Sequence, residues 1–466
     1  MLKNGFTKIL HDIKEAVSGT EQDFTQGSLR RAVFLLSVPM VLEMLMESVF
    51  AIADIFYVSK LGSEAVATVG LTESLITIVY SIGFGLSMAA TAMVSRRIGE
   101  KDPKGAAKAA VQSILTSMAV SLLIAIPGIW FASDLLRLMG ASEVIYTTMS
   151  SYTAIMLGSN VVIMLLFVIN AIFRSAGDAA VSMRVLWLAN IINIVLDPLL
   201  IFGIGPFPEL GIKGAAIATT IGRGLAVIYQ IYLLFRGNKR VRLMLKDIVV
   251  DLATIKTLIS ISFGGIGQNL IATSSWIGLM RIISEFGSEA IAGYTIAIRI
   301  IIFALLPSWG ISNAAATLVG QNLGANQPER AERSAWAVGK VNLWLMGIVS
   351  VLLIIFASPF IRLFIDDPGV ISSGIMSLRI ISFGFIFYGL GMVMVQAING
   401  AGDTVTPTII NFFCFWILEI PLAYFLAIVM STGEEGVYYA IVISESIMAL
   451  IATLLFKRGK WKLKRV

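Results

Sequence analysis

Four carboxylates stand inside stretches apolar enough to sit in hydrocarbon. Glu43, Glu47 and Asp54 share one such run, and Asp197 stands in another, "NIINIVLDPLLIFGIG", from Asn190 to Gly205. A charged group at that depth is expensive, so an ionisable residue within a span marks an ion or substrate pathway or a buried pair. At about 100° per residue the three acids of the first run fall within roughly 40° of one another on one helix face. Asn193 and Asp197 lie one turn apart, also on one face. Counted from the nearest outer loop at about 1.5 Å per residue, Asp54 and Thr219 lie about 12 Å deep, and Asp197 and Tyr152 about 13 Å deep. These side chains come from four spans and share a level. Two carboxylates there could share a proton or, with the oxygens of Asn193 and Thr219, bind a small cation such as Na⁺ at Asp54 and Asp197. The bland alternative is a hydrogen-bonded pair that glues two helices together.

Pro39 precedes Asp54 in the same span. A proline inside a helix removes a backbone bond and favours a kink, which would let Asp54 move relative to Asp197 and tie ion binding to shape. The alternative is a proline tolerated near the helix start. Glu419, in "WILEIPLAYFL", and Glu445 are further intramembrane acids. Either could contact a cationic substrate or form an internal salt bridge, with Arg223 and Arg299 as candidate partners. Other chemistry is excluded. One cysteine, Cys414, and one histidine, His11, give no disulfide within the chain and no Cys/His metal site. No Ser/His pair, cysteine nucleophile site or nucleotide-binding P-loop is present, which argues against an enzyme, a resident cofactor and ATP drive.

The elements that must hold these residues are membrane helices. The chain has 466 residues, of which 57% are hydrophobic and only 14% charged, with a mean hydropathy of +0.87. Apolar runs of about twenty residues recur along it, each long enough to span roughly 30 Å of hydrocarbon. Spans are expected near 33–58, 67–96, 106–132, 143–170, 181–205 and 211–235, then near 257–283, 291–320, 331–358, 370–398, 405–430 and 436–456. The expected organisation is an N-terminal segment 1–28, a first lobe 29–235, a cytoplasmic linker 236–256, a second lobe 257–456 and a basic tail 457–466. Twenty methionines, Met44, Met46, Met156, Met164, Met392 and Met394 among them, read mainly as ordinary filler.

The two halves repeat. "GSEAVA" at Gly62 returns as "GSEAIA" at Gly287, an offset of 225. At that offset Gly85, Ser87, Gly99 and Pro103 meet Gly310, Ser312, Gly324 and Pro328, and "AGD" at Ala176 meets "AGD" at Ala401. One ungapped register over most of each half reads as an internal duplication. Each half has an even number of spans, so the repeats are parallel and related by a pseudo-two-fold axis along the membrane normal, as in transporters that rock two lobes. The repeat also supplies a control. Asp54, Asn193 and Asp197 correspond to Leu279, Leu418 and Leu422. The fold position does not demand an acid; something particular to the first half does.

Lys and Arg crowd the N-terminal region, the even-numbered loops, the linker "RGNKRVRLMLKD" and the tail "KRGKWKLKRV". By the positive-inside rule both termini are cytoplasmic, and the net charge of +6 is that signature rather than a nucleic-acid surface. Phe6, Ile9, Leu10, Ile13 and Val17, with Lys3, Lys8 and Lys14 between them, have the spacing of an amphipathic helix on the membrane surface. A solvated tail is the alternative.

Taken together, "ADIFYVSKLG" at Ala53, "SRRIGEKD" at Ser95, "FRSAGD" at Phe173, "NIVLDPLLIFG" at Asn193, "GIKGAAIATT" at Gly211, "LVGQNLGANQPERAERSA" at Leu318 and "INGAGDTVTP" at Ile398 resemble the multidrug and toxin extrusion (MATE) family, and within it the DinF-like branch. The resemblance runs from Leu29 to Lys462. It implies an all-α polytopic membrane protein of twelve helices in two six-helix lobes around a V-shaped central cavity. It implies export of cationic or polyaromatic compounds against inward H⁺ or Na⁺, from the inner membrane of a bacterium. It carries a first-lobe cation site onto Asp54, Asn193, Asp197, Thr219 and Tyr152, and a first-span proline onto Pro39. The NorM-like pattern, with acids in spans seven and ten, is not met: span seven has Gln268 and Asn269, and span ten has no acid. Glu43, Glu47 and Glu419 lie outside the family pattern; Glu43 and Glu47 could extend the cation site inward or hold drug, and Glu419 leaves open what the second lobe binds. The expected protein is a monomeric secondary antiporter with Asp54 and Asp197 as coupling acids, or else a flippase of a lipid-linked or amphiphilic substrate.

Overall fold

The computed structural model describes residues 12–19, 23–236, 240–244, 246 and 248–466; His11 and most of the N-terminal apolar stripe lie outside them. Among the described residues the chain is helical and has no strand. The first half holds α1 (Leu29–Ser59), α2 (Ser63–Gly99), α3 (Pro103–Trp130), α4 (Ile145–Ser175), α5 (Ala179–Phe202) and α6 (Ile212–Arg236). The second holds α7 (Leu252–Ile283), α8 (Ser288–Gly324), α9 (Pro328–Ile355), α10 (Pro368–Phe383 with Phe385–Gly400), α11 (Val405–Val429) and α12 (Glu434–Lys457). Large apolar side chains such as Leu123, Trp130, Trp344 and Phe263 are exposed, as a surface solvated by lipid tails requires.

Eleven of these, with the bent α10 taken as one span, are long and apolar enough to cross a membrane. The exception is α7. It is long enough, but Gln268, Asn269 and a run of Ser, Thr and Gly lower its hydropathy. Those polar groups find partners inside the protein. Gln268 exchanges two hydrogen bonds with Asn399 of α10, and Ser275 donates to Glu419 of α11.

The repeat holds in three dimensions. Helices α2 and α8 are both 37 residues long, and α3 and α9 both 28, in the 225-residue register. Left-handed backbone recurs at Gly62 and Gly287, Lys101 and Asn326, and Gly177 and Gly402. The duplicated "AGD" is thereby explained. Its glycine takes the positive φ that turns the chain, and its aspartate caps the next helix: Asp178 accepts from Val181 N, and Asp403 from Thr406 N.

The chain forms two compact units. One comprises Met1–Asp23 with Val38–Ser262, the other Phe24–Ser37 with Phe263–Val466. Two of the three borders, after Ser37 and after Ser262, fall within the first helix of a half, and these two serines are repeat equivalents. Local bonds account for each. In the second unit Arg330 of α9 donates to the carbonyls of Phe24, Gln26 and Gly27, tying down the start of α1. In the first unit Gln112 of α3 holds Val249 O and Asp251 N, and Lys108 pairs with Asp251 at 2.7 Å, tying down the start of α7. Residues 12–18 are helical, with Ala16 buried, Ile13 exposed and Gly19 against Ala180 and Asp178 of α5.

The tightest helix contact of the first unit is α5 on α6. Gly214, Ala218 and Gly222 form a small-residue stripe on α6 that lets the backbones approach closely. A Cβ at Gly222 would meet Ala189 O at 2.7 Å and Asn193 Cβ at 3.3 Å. Gly222→Leu is therefore expected to force α5 away at a cost of about 1–3 kcal/mol, read as a lower thermal midpoint of the detergent-purified protein.

Candidate functional site

The first unit gathers polar side chains from five of its helices. On α5, Asn193 and Asp197 are both buried, the latter completely. Asn193 Nδ2 donates to Thr219 Oγ1 of α6 at 3.0 Å and reaches Asp197 Oδ1 at 3.5 Å. Asp197 Oδ2 and Asn193 Oδ1 are buried without a hydrogen-bond partner. Asp54 of α1 is half-buried and within Coulombic reach of Asp197. Tyr152 of α4 is buried and lies within Coulombic reach of Asp54 and Asp197, and of Glu73 and Tyr80 of α2. Of the five residues expected to share a level, hydrogen bonds join Asn193, Asp197 and Thr219, and Asp54 and Tyr152 lie within Coulombic reach of Asp197. The oxygens of this set, two carboxylates with an amide, a hydroxyl and a phenol, can take a proton or a hard cation such as Na⁺. Among the described residues no group of three His, Cys, Asp or Glu is arranged to hold a metal.

Glu43 and Glu47 do something different. Glu43, 2% exposed, accepts from Arg174 Nη1 of α4 at 2.9 Å. Glu47 accepts from Arg223 Nη2 of α6 at 3.1 Å and from Asn190 Nδ2 of α5 at 3.1 Å. The repeat shows what the first pair is for. Glu43 and Arg174 correspond to Gln268 and Asn399, the amide pair that joins α7 to α10. The same fold position is bridged by charges in one half and by amides in the other, so the Glu43–Arg174 pair is a helix cross-link. Pro39 lies well inside α1, which continues through it unbroken from Leu29 to Ser59.

Glu73, Tyr80, Arg174, Asn190 and Arg223 are the members of this arrangement that sequence reasoning passed over or placed elsewhere. Arg223 in particular pairs within the first unit and not with Glu419 or Glu445. A signal existed in the repeat: Glu73, Tyr80 and Arg223 stand opposite Ile298, Leu305 and Met448.

In the second unit Glu419 ends a wide π-helical stretch, Phe412–Glu419, just before Pro421, is buried and accepts from Ser275 Oγ at 3.2 Å. A widened turn absorbs the proline's missing donor and re-aims the side chain before it. Glu445 of α12 lies within Coulombic reach of Glu419, and both acids lie within Coulombic reach of Tyr294 and Tyr388. Arg299 is exposed, and among the described residues neither acid is ion-paired.

Repeated bundles of membrane-crossing helices with buried carboxylates, guanidinium groups and amides in their interior define a polytopic membrane protein. The particular family follows from sequence. The MatE family profile matches residues 39–199 and 266–425, one stretch in each half, and the chain belongs to this family, the multidrug and toxin extrusion transporters. Its members are transporters rather than enzymes. The chain is 27% identical to the probable multidrug resistance protein NorM of Thermotoga maritima, over 94% of each chain. It is 28% identical to the FAD transporter of Shewanella oneidensis, over 92% of this chain and 94% of that one. Its structure is similar to that of a MOP superfamily transporter from Pyrococcus furiosus, with a TM-score of 0.89 and 25% identity over 95% of this chain and 98% of that one.

The cross-link can be tested by exchange. Glu43→Gln alone leaves the half-buried Arg174 without its counter-charge and is expected to destabilise by about 1–3 kcal/mol. Glu43→Gln with Arg174→Asn installs the amide pair of the other half and is expected to recover most of the thermal midpoint lost in the single variant.

Proposed function

We propose that the protein is a cation-coupled antiporter that exports small organic cations by alternating access, with Asp54 and Asp197 as the coupling acids. The observation that carries this reading is the state of Asp197. A carboxylate fully buried in a span, with one oxygen unpartnered and the other facing only an amide, is poorly compensated as an anion. Taking up a proton or Na⁺ relieves that, and a second acid in Coulombic reach makes uptake at one depend on the other. Asn193, Thr219 and Tyr152 orient and share the ion. Pro39, which leaves a backbone acceptor of α1 without its helical donor, is the point at which α1 bends as the ion comes and goes.

The charges favour a cationic substrate. In the first unit the guanidinium groups of Arg174 and Arg223 are already paired with Glu43 and Glu47, which leaves Asp54 and Asp197 as the uncompensated charge. In the second unit Glu419 and Glu445, beside Tyr294 and Tyr388, offer the carboxylates and aromatic faces that organic cations prefer. A phosphate-bearing substrate, as the name of the Shewanella relative suggests for that protein, or a lipid-linked one moved by a flippase, would require the opposite lining. On this reading the protein works as a monomer in the bacterial inner membrane with both termini in the cytoplasm, the orientation that its basic even-numbered loops favour.

The test is ethidium efflux from proteoliposomes under an imposed pH gradient and, separately, an imposed Na⁺ gradient. Wild-type protein is expected to respond to one of them. Asp54→Asn and Asp197→Asn are each expected to lower gradient-driven efflux at least tenfold while eluting as folded protein from a sizing column. Wild-type rates in both variants would sink the assignment.

A further inference from the structure

Arg223 is built into the coupling site, and its surroundings give it two carboxylates to choose between. It lies in the middle of α6, 5% exposed, one turn from Thr219, the residue that holds Asn193. Its guanidinium touches α1 and α2. Nη2 donates to Glu47 Oε1 at 3.1 Å, Nη1 reaches the Tyr80 hydroxyl at 3.5 Å, and the group lies over the Phe50 ring, 5.3 Å from its centroid. The order on α1 matters. Glu47, Phe50 and Asp54 follow one another at helical spacing on one face, so the ring stands one turn from each acid, about 5 Å of rise either way. Asp54 is within Coulombic reach of the same guanidinium. Arg223 Nε is buried without a hydrogen-bond partner, so the guanidinium holds a donor in reserve.

We propose that Arg223 is the positioning residue of the coupling site: its guanidinium, held by Glu47 across the face of Phe50, is the counter-charge that Asp54 takes when it releases its proton. While Asp54 is protonated, Arg223 stays with Glu47. When Asp54 ionises, the guanidinium turns along the ring toward it, and Glu47 keeps its bond from Asn190. A fixed positive charge beside the site also opposes a metal cation there, so the coupled ion is the proton. Among the described residues, the groups that bear on Asp54 are Glu73 of α2, Tyr152 of α4, Asp197 of α5 and Arg223 of α6, and Glu47 and Tyr80 bear on Arg223 in turn; Arg223 is the cation of this set. The repeat separates this role from folding. The counterparts of Glu47, Phe50, Asp54 and Arg223 are Ala272, Ser275, Leu279 and Met448, so a methionine is accommodated at the matching place.

This proposal rests on Asp54 and Asp197 being coupling acids, and the experiment keeps the two apart. Ethidium efflux from proteoliposomes is measured across a pH series for wild type, Arg223→Lys, Arg223→Met and the double variant Glu47→Gln with Arg223→Met, the last leaving no orphaned carboxylate. A nearby positive charge favours the ionised acid, so its removal moves the pH of half-maximal efflux upward, by about one unit. Arg223→Met and the double variant are expected to show that shift, and Arg223→Lys to stay close to wild type. A wild-type midpoint in both methionine variants overturns the proposal and leaves the exporter reading standing. So does wild-type efflux driven by a Na⁺ gradient at equal pH. No wild-type efflux under either gradient removes the exporter reading and this proposal with it.

Discussion

A charge buried in hydrocarbon must be paired, neutralised or used, and the first unit of this protein does all three. Glu43 is paired with Arg174, and Glu47 with Arg223 and Asn190. Asp197 is left with an amide and an unpartnered oxygen, beside Asp54. The rest of the arrangement follows from this imbalance of carboxylates over guanidinium groups. The small-residue stripe of α6 brings Asn193 to Thr219, and the cross-link of Glu43 joins α1 to α4.

The duplication makes it possible to tell scaffold from function within one chain. Where both halves keep a bond at matching positions, as with Glu43–Arg174 and Gln268–Asn399, the bond belongs to the fold. Where one half has a polar group and the other has leucine, isoleucine or methionine, as at Asp54, Glu73, Asp197 and Arg223, the polar group serves something the fold can do without. The second unit has acids of its own, Glu419 and Glu445, opposite Ile194 and Thr220. The two halves have therefore diverged in chemistry while keeping one architecture.

Much of this was legible in the sequence because the signals were local or periodic. Apolar runs marked the spans, the 225-residue register marked the duplication, and depth counting with helical spacing singled out Asn193, Asp197 and Thr219, which hydrogen bonds join. Partner choice was not legible. Arg174 and Arg223 reach acids on α1 from more than a hundred residues away, and nothing in the spacing says which acid takes which arginine. Nor was the division of the chain. The start of α1 belongs with the second unit and the start of α7 with the first, because Arg330, Lys108 and Gln112 bind those segments through backbone and carboxylate contacts. The polar run of α7 reads as a weak span until its partners on α10 and α11 are known.

The central claim is that Asp54 and Asp197 are the groups that take up and release the coupling proton. Infrared difference spectroscopy on the purified protein during a pH titration reads carboxyl protonation directly and needs no substrate. The account predicts a protonated-carboxyl band that titrates in wild type and is diminished in Asp54→Asn and in Asp197→Asn. A band that titrates unchanged in both variants would contradict it.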